Sequence, residues 1–295
     1  MNKQLISQLD ILKENSENIY KARAFETASN SIGGLNYNVA RNKARFLRDA
    51  DELTGVGAGI RARILEFIEK GFIEEAQIII ERNGSIDALI KIKGVGVNLA
   101  HKWIDADIYN IADLRRAIRE GRVKLTQTQE YGLRYYTELN KPILRGVITA
   151  YVARLSANLA IDLTIAGSYR RGAKKSGDID LLILGKSIAK YIGAIEEMDE
   201  HIYTISAGSH NMTYIAKYSG RVFQCDVIIT EDYVPALVYF TGSKQFNIHM
   251  RKRAKSLGYK LNQYGLWNGT KKIKLRDERD LFAKLDMRYV VPEKR

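Results

Sequence analysis

Two aspartates at i and i+2, Asp178 and Asp180, open the apolar run Asp178-Ile-Asp-Leu-Leu-Ile-Leu184. Such a run predicts a strand, and because side chains alternate across a strand, both carboxylates would project from one face into a single site. Like charges held that close repel, and burying them costs several kcal/mol unless a cation sits between them. A divalent metal is the natural partner. Mg2+ prefers octahedral oxygen ligands and is usually held by one or two carboxylates together with water and phosphates. Two such ions roughly 3.5–4 Å apart can activate an attacking hydroxyl and stabilise a leaving pyrophosphate.

Upstream, Leu163-Thr-Ile-Ala166 leads into Gly167-Ser168, a turn expected to open a helix whose unpaired N–H groups face a phosphate. Ser168 adds a hydroxyl donor, and Arg170 and Arg171 add guanidinium forks suited to phosphate. A Gly-Ser pair alone is equally a plain turn beside a solvated basic face. Downstream, Asp226 interrupts the apolar strand pattern Arg221-Val-Phe-Gln-Cys-Asp-Val-Ile-Ile-Thr230. A charge inside such a strand points to solvent or is paired or metal-bound. With Asp178 and Asp180 it becomes the candidate third metal ligand, beside the attacking hydroxyl.

At 295 residues, 45% hydrophobic and 27% charged, the chain can bury a sizeable core. No apolar run reaches the ~18 residues of a membrane span. The N-terminal residues lack the apolar block of a signal peptide, so an intracellular, reducing compartment is expected, with nucleus and cytoplasm not distinguished. The single cysteine, Cys225, has no internal disulfide partner and sits in a strand pattern, where packing is its expected role. His101, His201, His210 and His249 lack zinc-ligand spacing, and no zinc is expected. A net charge of +13 attracts polyanions. Lys244 to Arg276 holds ten Lys or Arg and no Asp or Glu, interleaved with Phe246, Tyr259, Tyr264 and Trp267. Charge runs are often only solvated faces, but beside a phosphate-directed motif this one is expected to follow a nucleic-acid backbone.

The first ~140 residues carry apolar positions at helical spacing, as in Leu5, Leu9, Leu12 and Ile60, Ile64, Phe67, Ile68. Pro142 falls between this helical half and the strand-bearing half, which places a boundary near it. The helical half repeats internally: Leu53-Thr-Gly-Val-Gly-Ala-Gly-Ile60 and Ile92-Lys-Gly-Val-Gly-Val-Asn-Leu99 share a Gly-Val-Gly turn before a helix. Glycine at both turn positions, Gly55 with Gly57 and Gly94 with Gly96, permits positive φ and leaves backbone N–H groups open to a phosphate. Such contacts position a duplex without reading sequence. One such turn is often a plain helix–helix connection; the pair in a basic chain favours DNA.

Taken together, these motifs resemble those of the family X DNA polymerases, of the DNA polymerase β type, along nearly the whole chain. The resemblance implies an α+β fold, with a helical N-terminal half holding two helix-hairpin-helix motifs, a nucleotidyltransferase palm with a mixed sheet, and a small α/β C-terminal subdomain. Its expected borders are 1–78, 79–142, 143–231 and 232–295. It assigns Asp178, Asp180 and Asp226 to catalysis through two Mg2+ ions, replaceable by Mn2+, and Ser168, Arg171 and Gly177 to a triphosphate. Tyr239-Phe-Thr-Gly-Ser-Lys-Gln-Phe-Asn-Ile-His-Met-Arg251 resembles the nucleotide-selection segment. There Tyr239, Phe240 and Gly242 line the sugar pocket, Lys244 flanks the base, Asn247 touches it from the minor-groove side, Arg251 meets the templating strand, and Tyr264 joins the neighbouring network. Gly55, Gly57, Gly94, Gly96 and Lys21 are assigned to DNA, with a monovalent cation at the hairpins. The implied partners are gapped or nicked duplex DNA and dNTPs, without a membrane, and the implied state is a monomer.

Departures from the pattern carry information. Family members in base-excision repair form a Schiff base with an abasic sugar through a lysine, and Arg63 occupies the matching position. A guanidinium stays protonated and cannot act as an amine nucleophile. Asp51 and Gly59 replace lysines that would hold the 5′-phosphate, while Lys21 remains. Gln224 and Lys244 also depart from the pattern. The implied activity is templated filling of short gaps with release of pyrophosphate, without 5′-deoxyribose-phosphate lyase activity. The rivals are a template-independent terminal nucleotidyltransferase and a non-catalytic gap-binding protein.

Overall fold

The computed structural model describes residues 2–295, which divide into two compact units, one up to Leu125 and the other Thr126–Arg295. The first is helical throughout its described residues. Lys3–Glu14 buries Leu5, Leu9 and Leu12, the i, i+4, i+7 stripe of an amphipathic helix, against Phe25, Ile32, Phe46, Ile64 and Phe67. Asn2 is buried at no polar cost: its amide donates to the carbonyls of Ile32 and Tyr37 and its oxygen accepts from the Val39 N–H. The helix Ile19–Gly33 is capped by Asn18, whose side chain accepts from the N–H groups of Tyr20 and Lys21.

Each Gly-Val-Gly turn opens a helix, Ala58–Lys70 and Val97–Ile104, and both turns close alike, Val56 N–H to Leu53 O and Val95 N–H to Ile92 O. The two glycines of each turn do different work, contrary to the expectation that both adopt positive φ. Gly55 and Gly94 lie at φ +85° and +81°, whereas Gly57 and Gly96 are extended N-caps at φ −75° and −94°. An N-cap takes extended backbone, so the second glycine serves only by leaving the helix N-terminus bare.

The expected border at 78/79 falls inside the continuous helix Glu74–Leu89, whose first turn carries Glu74 and Glu75 against the helix dipole. The division between units falls at 125/126, upstream of Pro142. Helices Gln127–Arg134 and Tyr136–Leu139 belong with the second unit: Tyr131, Tyr135 and Leu139 pack on Ile215, Val222 and Tyr203, with the Tyr131 and Tyr203 rings stacked at 4.3 Å.

The second unit centres on a five-stranded sheet in the order Thr164–Ile165, Ile179–Leu184, Arg221–Thr230, Asn211–Tyr218, His201–Ala207. All pairings are antiparallel except Ile179–Leu184 with Arg221–Thr230. The sheet is therefore mixed and the fold α+β. Asn211–Tyr218 and His201–Ala207 were not anticipated from the sequence; the latter is a half-exposed edge strand with broken register, so its apolar alternation is weak. Ile179, Leu181 and Ile183 face Ile148, Tyr151, Val152 and Leu155 of the helix Arg145–Leu159, with the Tyr151 and Tyr214 hydroxyls paired at 2.7 Å inside that core. Asp180 and Leu182 alternate to the other side.

A smaller cluster around Val238, Met250, Leu266, Leu281 and Phe282 joins helices Tyr233–Thr241, Lys244–Ser256 and Glu278–Lys284 to the three-stranded meander from Tyr259 to Ile273. The helices Tyr233–Thr241 and Lys244–Ser256 are separated at Gly242-Ser243, where Ser243 caps the second by accepting from the Phe246 N–H.

Candidate active site

The parallel pairing of Ile179–Leu184 with Arg221–Thr230 puts Asp180 in register with Asp226. Asp178 precedes the strand, which begins at Ile179 rather than at the aspartate itself. Burial, with negative charge from Asp178 and then Asp226 added and Arg171 opposing, pushes the Asp180 carboxyl up to about 7. A buried carboxylate whose ionisation is opposed by two neighbouring carboxylates makes a place complementary to a cation.

Asp226 is fixed at both oxygens, Oδ1 accepting from Thr213 Oγ1 at 2.6 Å and Oδ2 from Gln224 Nε2 at 2.7 Å. Both donors are neutral, so the carboxylate is oriented without being neutralised. Among the described residues no three His, Cys, Asp or Glu side chains gather into a complete metal cage. A sparse donor set of this kind suits an ion whose remaining ligands are water and phosphate.

Gly167 sits beside Asp180 at φ +53°, and a Cβ there would lie 1.9 Å from Asp180 Oδ2. Only glycine allows this approach of backbone to carboxylate. It opens the short helix Gly167–Arg170; Ser168 Oγ donates to Ser176 Oγ at 2.8 Å, and Arg171 Nη1 donates to the Thr241 carbonyl at 2.5 Å.

A cavity of about 320 Å³ is lined by Gly167, Ser168, Arg171, Asp178, Asp180, Tyr239, Phe240, Gly242, Lys244, Asn247 and Arg251. Two acidic and three basic side chains thus share one wall, with aromatic rings beside them. One of the two Asn247 N–H donors is given to the Tyr239 carbonyl at 2.6 Å, leaving the other for a ligand. Among the expected site residues, Asp226, Gly177 and Tyr264 do not line this cavity; Tyr264 is an exposed turn residue whose N–H donates to Asn262 Oδ1. Gly167 belongs to the Gly-Ser turn expected at a phosphate, whereas Ser176 and Thr213 were given no role; Ser176 directly precedes the expected residue Gly177, while nothing local marked Thr213.

In the first unit a cavity of about 600 Å³ is lined in part by Asn18, Lys21, Gly55, Gly57, Gly59, Arg63 and Glu75. Arg63 is bound to Glu75 through Nε at 2.8 Å and to the Gly59 carbonyl through Nη1 at 3.0 Å. Asp51 does not line it and is paired with Arg61 at 2.7 Å.

Four family models match this chain in order. They are a helix-hairpin-helix domain over 1–73, the fingers domain of DNA polymerase lambda over 87–140, the DNA polymerase beta palm over 143–206 and the DNA polymerase beta thumb over 236–295. The chain belongs to DNA polymerase family X. It is 25% identical to a DNA nucleotidylexotransferase of Gallus gallus, over all of this chain and 67% of that protein. It is 23% identical to a DNA nucleotidylexotransferase of Xenopus laevis, over all of this chain and 68% of that protein. Identity to DNA polymerase lambda of Rattus norvegicus is 24%, over 83% of this chain and 47% of that protein. It is a family X nucleotidyltransferase; such a palm works with divalent metal, and its domains bind DNA and nucleotide. Among the described residues no helix is long and apolar enough to cross a membrane.

Proposed function

We propose that this protein is a DNA-directed DNA polymerase that fills short gaps, joining a deoxynucleotide to a primer 3′-hydroxyl with release of pyrophosphate. In this reading residues 1–78 and 79–142 hold DNA, 143–231 carry the chemistry and 232–295 select the nucleotide. The hairpins at Gly55, Gly57 and Gly94, Gly96, with Lys21, hold phosphates, and a monovalent cation sits at the hairpins. Two Mg2+ ions would supply charge neutralisation at the hydroxyl and the leaving group.

Asp178 and Asp180 hold both ions, and Asp226 orients the primer end. Ser168, Arg171 and Gly177 receive the triphosphate and offset charge in the transition state. Tyr239, Phe240 and Gly242 enclose the sugar, and Lys244 flanks the base. The observation that carries a templated reaction is that Asn247 and Arg251 line the same cavity as Asp178 and Asp180. They are the groups suited to a base edge and a template strand, and Tyr264 is assigned to the network around them.

Template-independent terminal transfer is the second reading, favoured by similarity over the whole chain to two nucleotidylexotransferases. The comparable identity to DNA polymerase lambda keeps identity from deciding between them. Extension on a one-nucleotide gap is compared with extension of a single strand, supplying each dNTP alone. Addition confined to the complementary dNTP on the gap supports the polymerase. Equal addition to the single strand establishes the transferase.

A further inference from the structure

Arg170, between the cavity residues Ser168 and Arg171, turns away from the cavity into a half-buried ion network. Its guanidinium grips Glu278 with two prongs, Nη1 to Oε1 at 3.0 Å and Nη2 to Oε2 at 2.8 Å, and Nη1 also donates to Thr241 Oγ1 at 2.7 Å. Arg295 Nη1 donates to Glu278 Oε1 at 2.8 Å, and the Tyr289 hydroxyl donates to Oε2 at 3.3 Å. Only 11% of the Glu278 side chain is exposed and none of Arg295, whose guanidinium lies among the rings of Phe246, Phe282 and Tyr289.

Thr241 is the junction. Its hydroxyl takes Arg170, and its carbonyl takes Arg171 at 2.5 Å, immediately before the cavity residue Gly242. The helix that bears Ser168 has only four residues, too few to hold its own orientation, so its bearing must come from outside contacts. A lone carboxylate binding two arginines is a poor device for stability compared with apolar packing, but it imposes one geometry.

We propose that Glu278 is a positioning residue for nucleotidyl transfer: by fixing Arg170 it holds Ser168 and Arg171 against the Thr241–Gly242 turn, in the geometry that receives the triphosphate. The proposal rests on the nucleotide site described above. Glu278 touches no substrate, so its loss acts through the triphosphate and not through the primer.

Steady-state extension with Mg2+, dNTP and gapped DNA tests this in Glu278→Gln, Arg170→Gln, the double variant and Arg295→Gln, below each variant's melting temperature. Arg295→Gln strips the same carboxylate of its other guanidinium but leaves the Arg170 pair, and so reports lost stability alone. Glu278→Gln is expected to raise KM for dNTP by about 10-fold or more, with KM for DNA within about twofold. The double variant should be no worse than either single one, because both remove the same constraint. Arg295→Gln should lower the melting temperature and leave KM for dNTP near that of the parent.

A KM for dNTP unchanged in Glu278→Gln overturns the proposal. So does one raised equally in Arg295→Gln in step with its melting temperature. If Glu278→Gln does not fold, Arg170→Gln against Arg295→Gln decides by the same criteria. A parent protein that transfers no nucleotide sinks the polymerase reading instead, and isothermal titration of Mg2+·dNTP into the same variants then decides the positioning role.

Discussion

At the scale of single residues, the site depends on charges that are left unbalanced and on donors that hold them in place. Asp226 illustrates this, with each oxygen bound by a neutral donor. Asp226→Ala should lower kcat by about 10³-fold or more, the cost of removing several kcal/mol of metal-mediated stabilisation. Affinity for gapped DNA, read by fluorescence anisotropy, should stay within a fewfold of the parent. Extension within tenfold of the parent would show that Asp226 is no metal ligand.

Glu278 sits at the other extreme, fully compensated. Burial alone would raise its carboxyl, but hydrogen bonds and charge from Arg170 and Arg295 prevail and hold it at about 2, against an ordinary value of 4.5. A carboxyl depressed on folding contributes stability that is complete above its unfolded value and fades as pH falls towards its folded one. Glu278→Gln should therefore melt below the parent at pH 7, and the gap should narrow between pH 4.5 and about 2. A gap independent of pH across that window would mean that the charge contributes nothing.

At the scale of elements, each hairpin divides its labour between two glycines, and substitution should separate their roles. A Cβ at Gly55 would meet Ala28 N and Thr27 Cβ at 2.8 Å in a left-handed backbone, whereas one at Gly57 meets nothing within 4 Å. Gly55→Ala should destabilise the protein by about 1–3 kcal/mol in denaturant titration, through strain and the clash. Gly57→Ala should leave stability within about 0.5 kcal/mol yet weaken DNA binding, because a methyl group then stands where a phosphate must approach the helix N-terminus. Equal effects of the two substitutions on both measurements would contradict this division.

At the scale of the whole molecule, the cavities described in the two units carry different side chains, Asp178 and Asp180 with three basic residues in the second unit and Lys21 and Arg63 in the first. The first-unit cavity holds Lys21 and Arg63, with Arg63 engaged by Glu75 and Gly59 and its guanidinium 5.7 Å from the Phe25 ring. Schiff-base chemistry needs an amine that sheds its proton, which a guanidinium does not do near neutral pH. Borohydride trapping on an incised abasic substrate should give at most a trace of covalent adduct. A strong adduct abolished by Lys21→Ala would show that Lys21 is the nucleophile. Arg63→Lys alone should not restore activity, because Glu75 would remain to pair with the new amine and keep it protonated.

Local pattern was enough to point to a candidate site. The i, i+2 spacing of Asp178 and Asp180, the Gly-Ser turn and the repeated Gly-Val-Gly are short-range features, and a strand's alternation or a helix's first turn carries them directly into geometry. The α+β class was implied by the resemblance to family X, with helical spacing before Pro142 and apolar runs after it in keeping with it. Asp226 was expected beside Asp178 and Asp180, and the register of two parallel strands sets how it meets Asp180. Other long-range pairing remained hidden: that Thr213 holds Asp226 depends on a third strand, and that Glu278 fixes Arg170 joins residues far apart in the chain. The unit border at 125/126 is of the same kind, set by tyrosines stacking on a distant edge strand. Backbone and side-chain periodicity are written in neighbouring residues, whereas partners across a sheet or an ion network are chosen only when the chain closes on itself.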